Sequence, residues 1–490
     1  MVPKLSRRPL RRSADGVVTK GTIGHVHDWT EKTEDLARAV VGYAEQRLRL
    51  RPVPLDAPLA EEELSERAGR TITPEGIGGR AALEVFAEVL APACISIDHP
   101  RHFSFIPCAP TPAAMLFDLV VGASSIYGGS WLEGAGAVHA ENEALEWLAG
   151  LAGLPATSGG VFVQGGTIAN VSALVAARHA ARHAARHAAR HAARAAGGGE
   201  PTRWVVATSA EAHSSVSSAA GAMDVDILGV PMDAAGRLAG DALEASLEAE
   251  ARSGSGRRVF AVVATAGTTN LGIVDDLESV ARVAKRAGLW FHVDGAYGAA
   301  ALAAPSARHL FAGIEHADSL VVDPHKWLFA PFDCAALIYR RPELARAAHA
   351  QHAGYLEPLR TGDDWNPSDF ALQLTRRARG LPFWFSLACH GTDAYSAAIE
   401  RTLEVARHAA AAVRRKSYLD LVFEPMLSVV AFERRGWGAE QYHAWSKELL
   451  ESGTAFVVPT THNGKVVIRL AIVNPRSTEE DVDAVLTSLG

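Results

Sequence analysis

Between residues 159 and 339, short apolar runs alternate with stretches of helical character, and this alternation restricts the fold more than anything else in the chain. Gly159-Gly-Val-Phe-Val163 leads into a long Ala/Leu/Val helix. Residues 204–208, 225–230, 259–265, 289–293, 319–322 and 334–339 read as further strands, with helices over 241–253 and 277–288. Repeated strand–helix–strand units of this kind build a mostly parallel sheet covered by helices. The expected class is therefore α/β. In such sheets, ligands bind in the crevice at the carboxyl ends of the strands.

The residues that fall at this edge are unusual. The first strand is followed by Gln164-Gly-Gly-Thr-Ile-Ala-Asn170, a glycine turn opening a helix, which presents free backbone N–H groups to an anion. Its spacing matches neither the Walker nor the dinucleotide pattern. The later strands are followed in turn by Ser209-Ala-Glu-Ala-His-Ser-Ser215, Gly267-Thr-Thr-Asn270, Asp294-Gly-Ala-Tyr297 and Asp323-Pro-His-Lys-Trp327. A lysine just past a buried strand can be desolvated, which lowers its pKa and makes the amine a nucleophile for Schiff-base chemistry. Each group alone has a bland reading: lysines are mostly exposed, and an aspartate after a strand is often a helix cap. Together, the Gly165–Thr167 turn, His213, Asp294 and Lys326 suit one cofactor. Pyridoxal 5′-phosphate (PLP) has a phosphate for the turn, a flat ring for the imidazole, a pyridine nitrogen for the carboxylate and an aldehyde for the amine.

The rest of the chain frames this centre. Residues 1–25 are basic without a following apolar run, a poor signal peptide and an expected disordered arm. Helical pattern follows over 30–50 and 60–98. The segment HPRHFSFIPCAPTPAAML is too rich in proline for a helix, and Phe103, Phe105 and Ile106 in it read equally as core plug or pocket lining. The long helix degenerates into ARHAARHAARHAARHAAR, with His179, His183, His187 and His191 at i, i+4 steps. That spacing can bind a metal, but a solvated low-complexity extension ended by Gly197–Gly199 is the simpler reading, and no metal is expected. Residues 349–369 read as a mobile loop, 383–416 as one long helix, and strands near 421–425, 429–434, 455–459 and 465–473 with a helix at 479–489 as a small α+β domain. A net charge of −7 gives no sign of nucleic-acid binding, and no apolar run spans a membrane. Four scattered cysteines (Cys94, Cys108, Cys334, Cys389) point to reduced thiols and a cytoplasmic location.

The blocks HPRHFSFIP, AEAHSS, HVDGAYG and VDPHKWL, in this order and at these separations, resemble the group II PLP-dependent decarboxylases. This is the fold-type-I family of aromatic-L-amino-acid, glutamate and cysteine-sulfinate decarboxylases. The resemblance runs from about residue 30 to the C-terminus, interrupted by the His/Arg repeat. It implies that Lys326 is the Schiff-base lysine, that Asp294 pairs with the pyridine nitrogen, that Ala296 packs beside the ring and that His213 stacks on it. It implies a phosphate site of Gly166, Thr167 and His325, with Ile168 contributing through its backbone, and places Thr269 near the ring substituents. Tyr355 falls where the family carries a tyrosine that returns a proton to Cα; members with phenylalanine there tend to make aldehydes.

The implied activity is decarboxylation of an L-amino acid to its amine. An aromatic substrate is expected from a pocket of Phe103, Phe105, Ile106, Pro107 and Trp131. The alternatives are an acidic or diamino substrate, an aromatic aldehyde synthase and, outside catalysis, a degenerate PLP-binding scaffold. A homodimer is implied as well, without nucleic-acid or membrane partners. The expected division is a basic arm (1–25), an N-terminal helical segment and dimer arm (26–110), a large PLP-binding domain (111–378) and a small C-terminal domain (379–490). Within the large domain lie the low-complexity extension (175–199) and the mobile catalytic loop (345–370).

Overall fold

The computed structural model describes residues 26–192, 201–351, 353–354, 357 and 364–490. Its internal contacts divide into two units. The first holds the described residues up to Leu50 together with Ala60–Ala91, and contains α1 (Glu31–Arg49), α2 (Glu61–Ala68) and α3 (Gly79–Val85). Thr30 opens α1 with a capping box, its hydroxyl accepting the Thr33 N–H. Within this unit Leu36 lies so close to Gly79 that a Cβ there would meet its methyl at 2.7 Å. None of the three helices has a fully buried residue. The helical stretch expected over 60–98 is broken between α2 and α3, where Gly69, Gly76 and Gly78 take positive φ.

The second unit, Arg51–Leu59 and Pro92–Gly490, begins with α4 (Pro112–Ser124) and α5 (Trp131–Leu151). It continues with β1 (Gly159–Val163), α6 (Gly166–Ala192), β2 (Trp204–Thr208), α7 (Ser214–Ala222), β3 (Asp226–Gly229), α8 (Gly240–Arg252), β4 (Arg258–Thr265) and α9 (Leu277–Ala287). Next come β5 (Trp290–Asp294), β6 (Ser319–Val322), β7 (Ala335–Tyr339) and α10 (Pro342–His349). The seven strands form one sheet in the order β1-β7-β6-β5-β4-β2-β3. Only β7 runs against its neighbours, pairing antiparallel with β1 and β6; the other pairs are parallel. Every residue of β5, β6 and β7 is buried, as a sheet covered on both faces requires. One core, with Leu148, Phe291 and Leu328, fills one face; another, with Leu174, Val206 and Phe260, fills the other.

After α10 the chain forms α11 (Leu381–His390), α12 (Thr392–Arg415), β8 (Leu419–Leu421), β9 (Val429–Arg434), α13 (Ala439–Glu451), β10 (Thr460–His462), β11 (Lys465–Ala471) and α14 (Glu479–Thr487). A four-stranded antiparallel sheet, β10-β11-β9-β8, centres this part. Three expectations change here. The single helix over 383–416 is two helices, parted at Gly391 with φ +75°. Residues 455–459 form no strand; Phe456 makes an isolated bridge to His102 instead. Residues 92–110 belong to the main body: the Phe103 N–H donates to Phe456 O at 3.0 Å and the Ala471 N–H to Phe103 O at 2.9 Å. The His/Arg repeat begins inside the unbroken helix α6, whereas Gly197–Gly199 lie outside the described residues. No helix among the described residues is long and apolar enough to cross a membrane.

Candidate active site

Asp294 closes β5 and is almost fully buried. Its Oδ1 accepts the Ala296 N–H at 3.1 Å and its Oδ2 accepts Asn170 Nδ2–H at 2.8 Å. Asn170 lies in the second turn of α6 and also donates Nδ2–H to Ser215 Oγ at 2.8 Å. Ser215 Oγ lies 2.8 Å from Nδ1 of His213, the N-cap of α7, which also accepts the Ser215 N–H. Two residues predicted to flank one ring are thus joined by two that sequence reasoning missed. The network continues from Asn170 Oδ1 to His292 Nε2 (2.9 Å), and from His292 Nδ1 to Ser319 Oγ (2.7 Å), which accepts Trp290 Nε1–H (2.8 Å). Burial holds the His292 pKa down at about 4, against the pull of Asp294.

Lys326 follows β6. Its Nζ lies 2.9 Å from Asp323 Oδ2, which also accepts the Gly166 N–H at 3.3 Å. His325 is buried with Nε2 at 3.7 Å from the same oxygen, and burial lowers its pKa. A Cβ on Gly166 would stand 3.0 Å from Asp323 Oδ2 and 3.3 Å from Ala296 Cβ; one on Gly165 would stand 3.8 Å from His325 Cε1. Gly165, Gly166, Ala296, Asp323, His325 and Lys326 therefore form one cluster, in which the glycines let the start of α6 approach closely.

Other expected positions fall differently. Phe103 is fully buried in the core of the C-terminal part, among Val405, Phe432 and Leu470. It is a core plug, which corrects its assignment to the substrate pocket. Phe105 is 64 % exposed and tilted against Phe456 at 6.2 Å. Ile106 packs on the main core, Pro107 is buried, and Trp131 opens α5 with its N–H donated to Asn366 Oδ1. Thr167 is exposed on the first turn of α6 and Ile168 packs on the core beside it. Thr269 is exposed, whereas its buried neighbour Thr268 accepts the Ile273 N–H. Tyr355 lies outside the described residues.

Two further side chains stand out. The Phe332 ring is 53 % exposed and lies 5.1 Å from the His325 ring. Arg469, buried on β11, has Nε and Nη2 without hydrogen-bond partners, and burial lowers its pKa to about 10. A cavity of about 470 Å³ is lined by His213, Ser209, Ile227 and Pro231. A larger groove of about 870 Å³ lies at the opposite edge of the sheet, lined by Arg282, Lys285, Trp290 and Arg341. It contains none of Lys326, Asp294, His213 and Asn170.

This chain matches the pyridoxal-dependent decarboxylase conserved domain over residues 80–435 and belongs to that family. It is 34% identical over 429 residues to the L-2,4-diaminobutyrate decarboxylase of Rhizobium meliloti (strain 1021), covering 85% of this chain and 82% of that protein. It is 27% identical over 445 residues to the aromatic-L-amino-acid decarboxylase of Bacillus atrophaeus, covering 88% and 89%. The crystal structure of Oryza sativa TDC with PLP and tryptamine superposes with a TM-score of 0.83 at 25% identity, over 94% of this chain and 97% of that one. The protein is a PLP-dependent carboxy-lyase acting on an amino acid. Its residues fit the cofactor: an amine, a buried carboxylate with acceptor capacity to spare and a glycine cradle at a helix start meet at one sheet edge.

Proposed function

We propose that Lys326, Asp294 and His213 carry the chemistry, and that the substrate is an aromatic L-amino acid converted to its amine. The observation behind the roles is the hydrogen-bonded chain His213–Ser215–Asn170–Asp294 beside the Lys326 cluster. When bound, PLP supplies an aldehyde for the substrate amine and a cationic ring that takes up the electron pair left by departing CO2. Asp294, held by Ala296 N–H and the Asn170 amide, is oriented to meet the ring nitrogen. Gly166, Thr167, Ile168 and His325 hold the phosphate, Ala296 and Thr269 flank the ring, and Lys326 provides the attachment amine. Ser215 holds His213 by Nδ1, leaving Nε2 for the substrate face. Tyr355 returns the proton to the carbon that has lost CO2, a role that rests on its place in the sequence.

The exposed rings of Phe105 and Phe332 support the aromatic substrate, with Ile106, Pro107 and Trp131 completing the pocket. A second reading, 2,4-diaminobutyrate, is favoured by the 34% identity to the Rhizobium meliloti enzyme. A cytoplasmic homodimer is part of the proposal. In its support, α1–α3 bury no residue while Val41 and Phe86 stay exposed, and no disulfide joins the four cysteines.

Two measurements test the reading. Borohydride treatment of the holoenzyme should fix the cofactor mass on the Lys326 peptide, and Lys326→Ala should abolish it. The protein is then offered Phe, Tyr, Trp, Dopa, Glu, Asp, cysteine sulfinate and 2,4-diaminobutyrate. Aromatic amine as the main product is expected; amine from diaminobutyrate alone would replace the first reading by the second.

A further inference from the structure

The oxygen nearest the Lys326 amine belongs to an acid inside the cradle itself. Asp323 Oδ2 forms an ion pair with Lys326 Nζ (2.9 Å), accepts the Gly166 N–H (3.3 Å) and lies 3.7 Å from His325 Nε2. Its side chain is 1 % exposed, and Oδ1 is buried with no hydrogen-bond partner. Gly166 opens a 27-residue helix, whose first N–H groups and dipole favour an anion. Amine, imidazole and helix start thus converge on one carboxyl group of the chain itself. They are the donors an arriving phosphate would need. A buried carboxylate with one bare oxygen is a costly arrangement, and an asparagine of the same shape would give the phosphate a donor instead of a like charge.

We propose that Asp323 is a resident anion that competes with the cofactor phosphate for Gly166 and Lys326 and so sets how readily the cofactor exchanges. The inference rests on the assignment of Lys326 as the attachment point. In the apoprotein Asp323 stands in for the phosphate and keeps the lysine oriented. On cofactor binding its side chain must yield these donors, so part of the phosphate's affinity is spent displacing it.

The test is equilibrium binding of PLP and of pyridoxal, which lacks the phosphate, to wild-type apoprotein and to Asp323→Asn. The substitution should tighten PLP by about tenfold, the scale of one removed like charge, and leave pyridoxal within about twofold. The off-rate of PLP should fall in proportion. Asp323→Ser, which removes the charge with a smaller side chain, should shift the PLP-to-pyridoxal ratio in the same direction even if Asp323→Asn folds poorly. An unchanged or reduced ratio in both variants would overturn the inference. The assignment of Lys326 is checked separately: failure of borohydride to fix PLP there in the wild type overturns that assignment and this inference with it. Fixation without a change in the ratio overturns this inference alone.

Discussion

Replacing Asn170 by alanine isolates the contribution of the network to the site. The side chain makes three contacts, with Asp294 Oδ2, Ser215 Oγ and His292 Nε2, and all four residues are nearly or fully buried. Its loss leaves the His292 N–H without an acceptor and removes one of the two donors to the Asp294 carboxylate. Orphaning a buried polar group costs about 1–3 kcal/mol, more beside a charge, so Asn170→Ala should destabilise the protein by roughly 2–5 kcal/mol. Asp294 would keep only the Ala296 N–H. We expect PLP affinity to fall by about tenfold, equivalent to about 1.4 kcal/mol of lost orientation at the ring nitrogen. Asn170→Asp sharpens the test, because it sets a second carboxylate against Asp294 and is accommodated only with a shared proton. Its PLP affinity should be weaker than that of Asn170→Ala at pH 8 and should recover toward it at pH 6. The assay is titration of apoprotein with PLP at both pH values, followed by cofactor absorbance, with thermal melts in parallel. Wild-type affinity in Asn170→Ala, together with a pH-independent Asn170→Asp, would refute the claim that Asn170 positions Asp294.

Two further outcomes are expected. Glu141, buried on α5 with Oε1 accepting the Gly380 N–H, is pushed up by burial from 4.5 to about 7. The folded state therefore holds a proton that the unfolded chain releases near 4.5, so this group's contribution to stability falls as pH rises from 4.5 to 7, by about 3 kcal/mol in all. Glu141→Gln should accordingly raise the urea midpoint at pH 8 and leave it nearly unchanged at pH 4.5. Tyr355→Phe should lower the rate of amine formation by about 10²–10⁴, the usual worth of a positioned proton donor, and divert product to the aldehyde; mass spectrometry of the products decides.

The alternating pattern was legible because a parallel sheet buried on both faces demands apolar runs such as Ser319–Val322 and Ala335–Tyr339. Gly166, Asp294 and Lys326 were legible for the same reason, since the end of each run marks a place on one sheet edge. What lay beyond reach was contact across long separations. Asn170 meets Ser215 and Asp294 over 45 and 124 positions, and nothing local in an Asn on an Ala-rich helix announces a partner. Asp323 read as half of a strand-breaking Asp-Pro pair, and only folding shows its carboxylate against Lys326. Phe103 failed for another reason. An aromatic ring in a proline-rich loop looks the same whether it lines a pocket or fills a core, and its backbone pairing with Phe456 and Ala471 decides the matter.

The network also has a direction, and the direction reaches His213. The Asp294 carboxyl accepts the Asn170 Nδ2–H, which sets the amide oxygen against His292 Nε2, so that nitrogen carries the ring proton and Ser319 Oγ, which also accepts the Trp290 indole N–H, donates to His292 Nδ1. His292, kept neutral by burial, then carries its proton on Nε2 and donates it to Asn170 Oδ1. The same amide turns its NH2 toward Asp294 and Ser215. Ser215 Oγ accepts from the amide, so its own proton goes to His213 Nδ1, which also receives the Ser215 backbone N–H. With Nδ1 an acceptor, the ring proton of His213 sits on Nε2. Two fixed ends, the Asn170 amide donating to Asp294 and the Ser215 backbone N–H donating to His213 Nδ1, thus order the hydrogen bonds between them. The carboxylate of Asp294 lies on the same path and receives only donors, as a partner for a cationic ring nitrogen must.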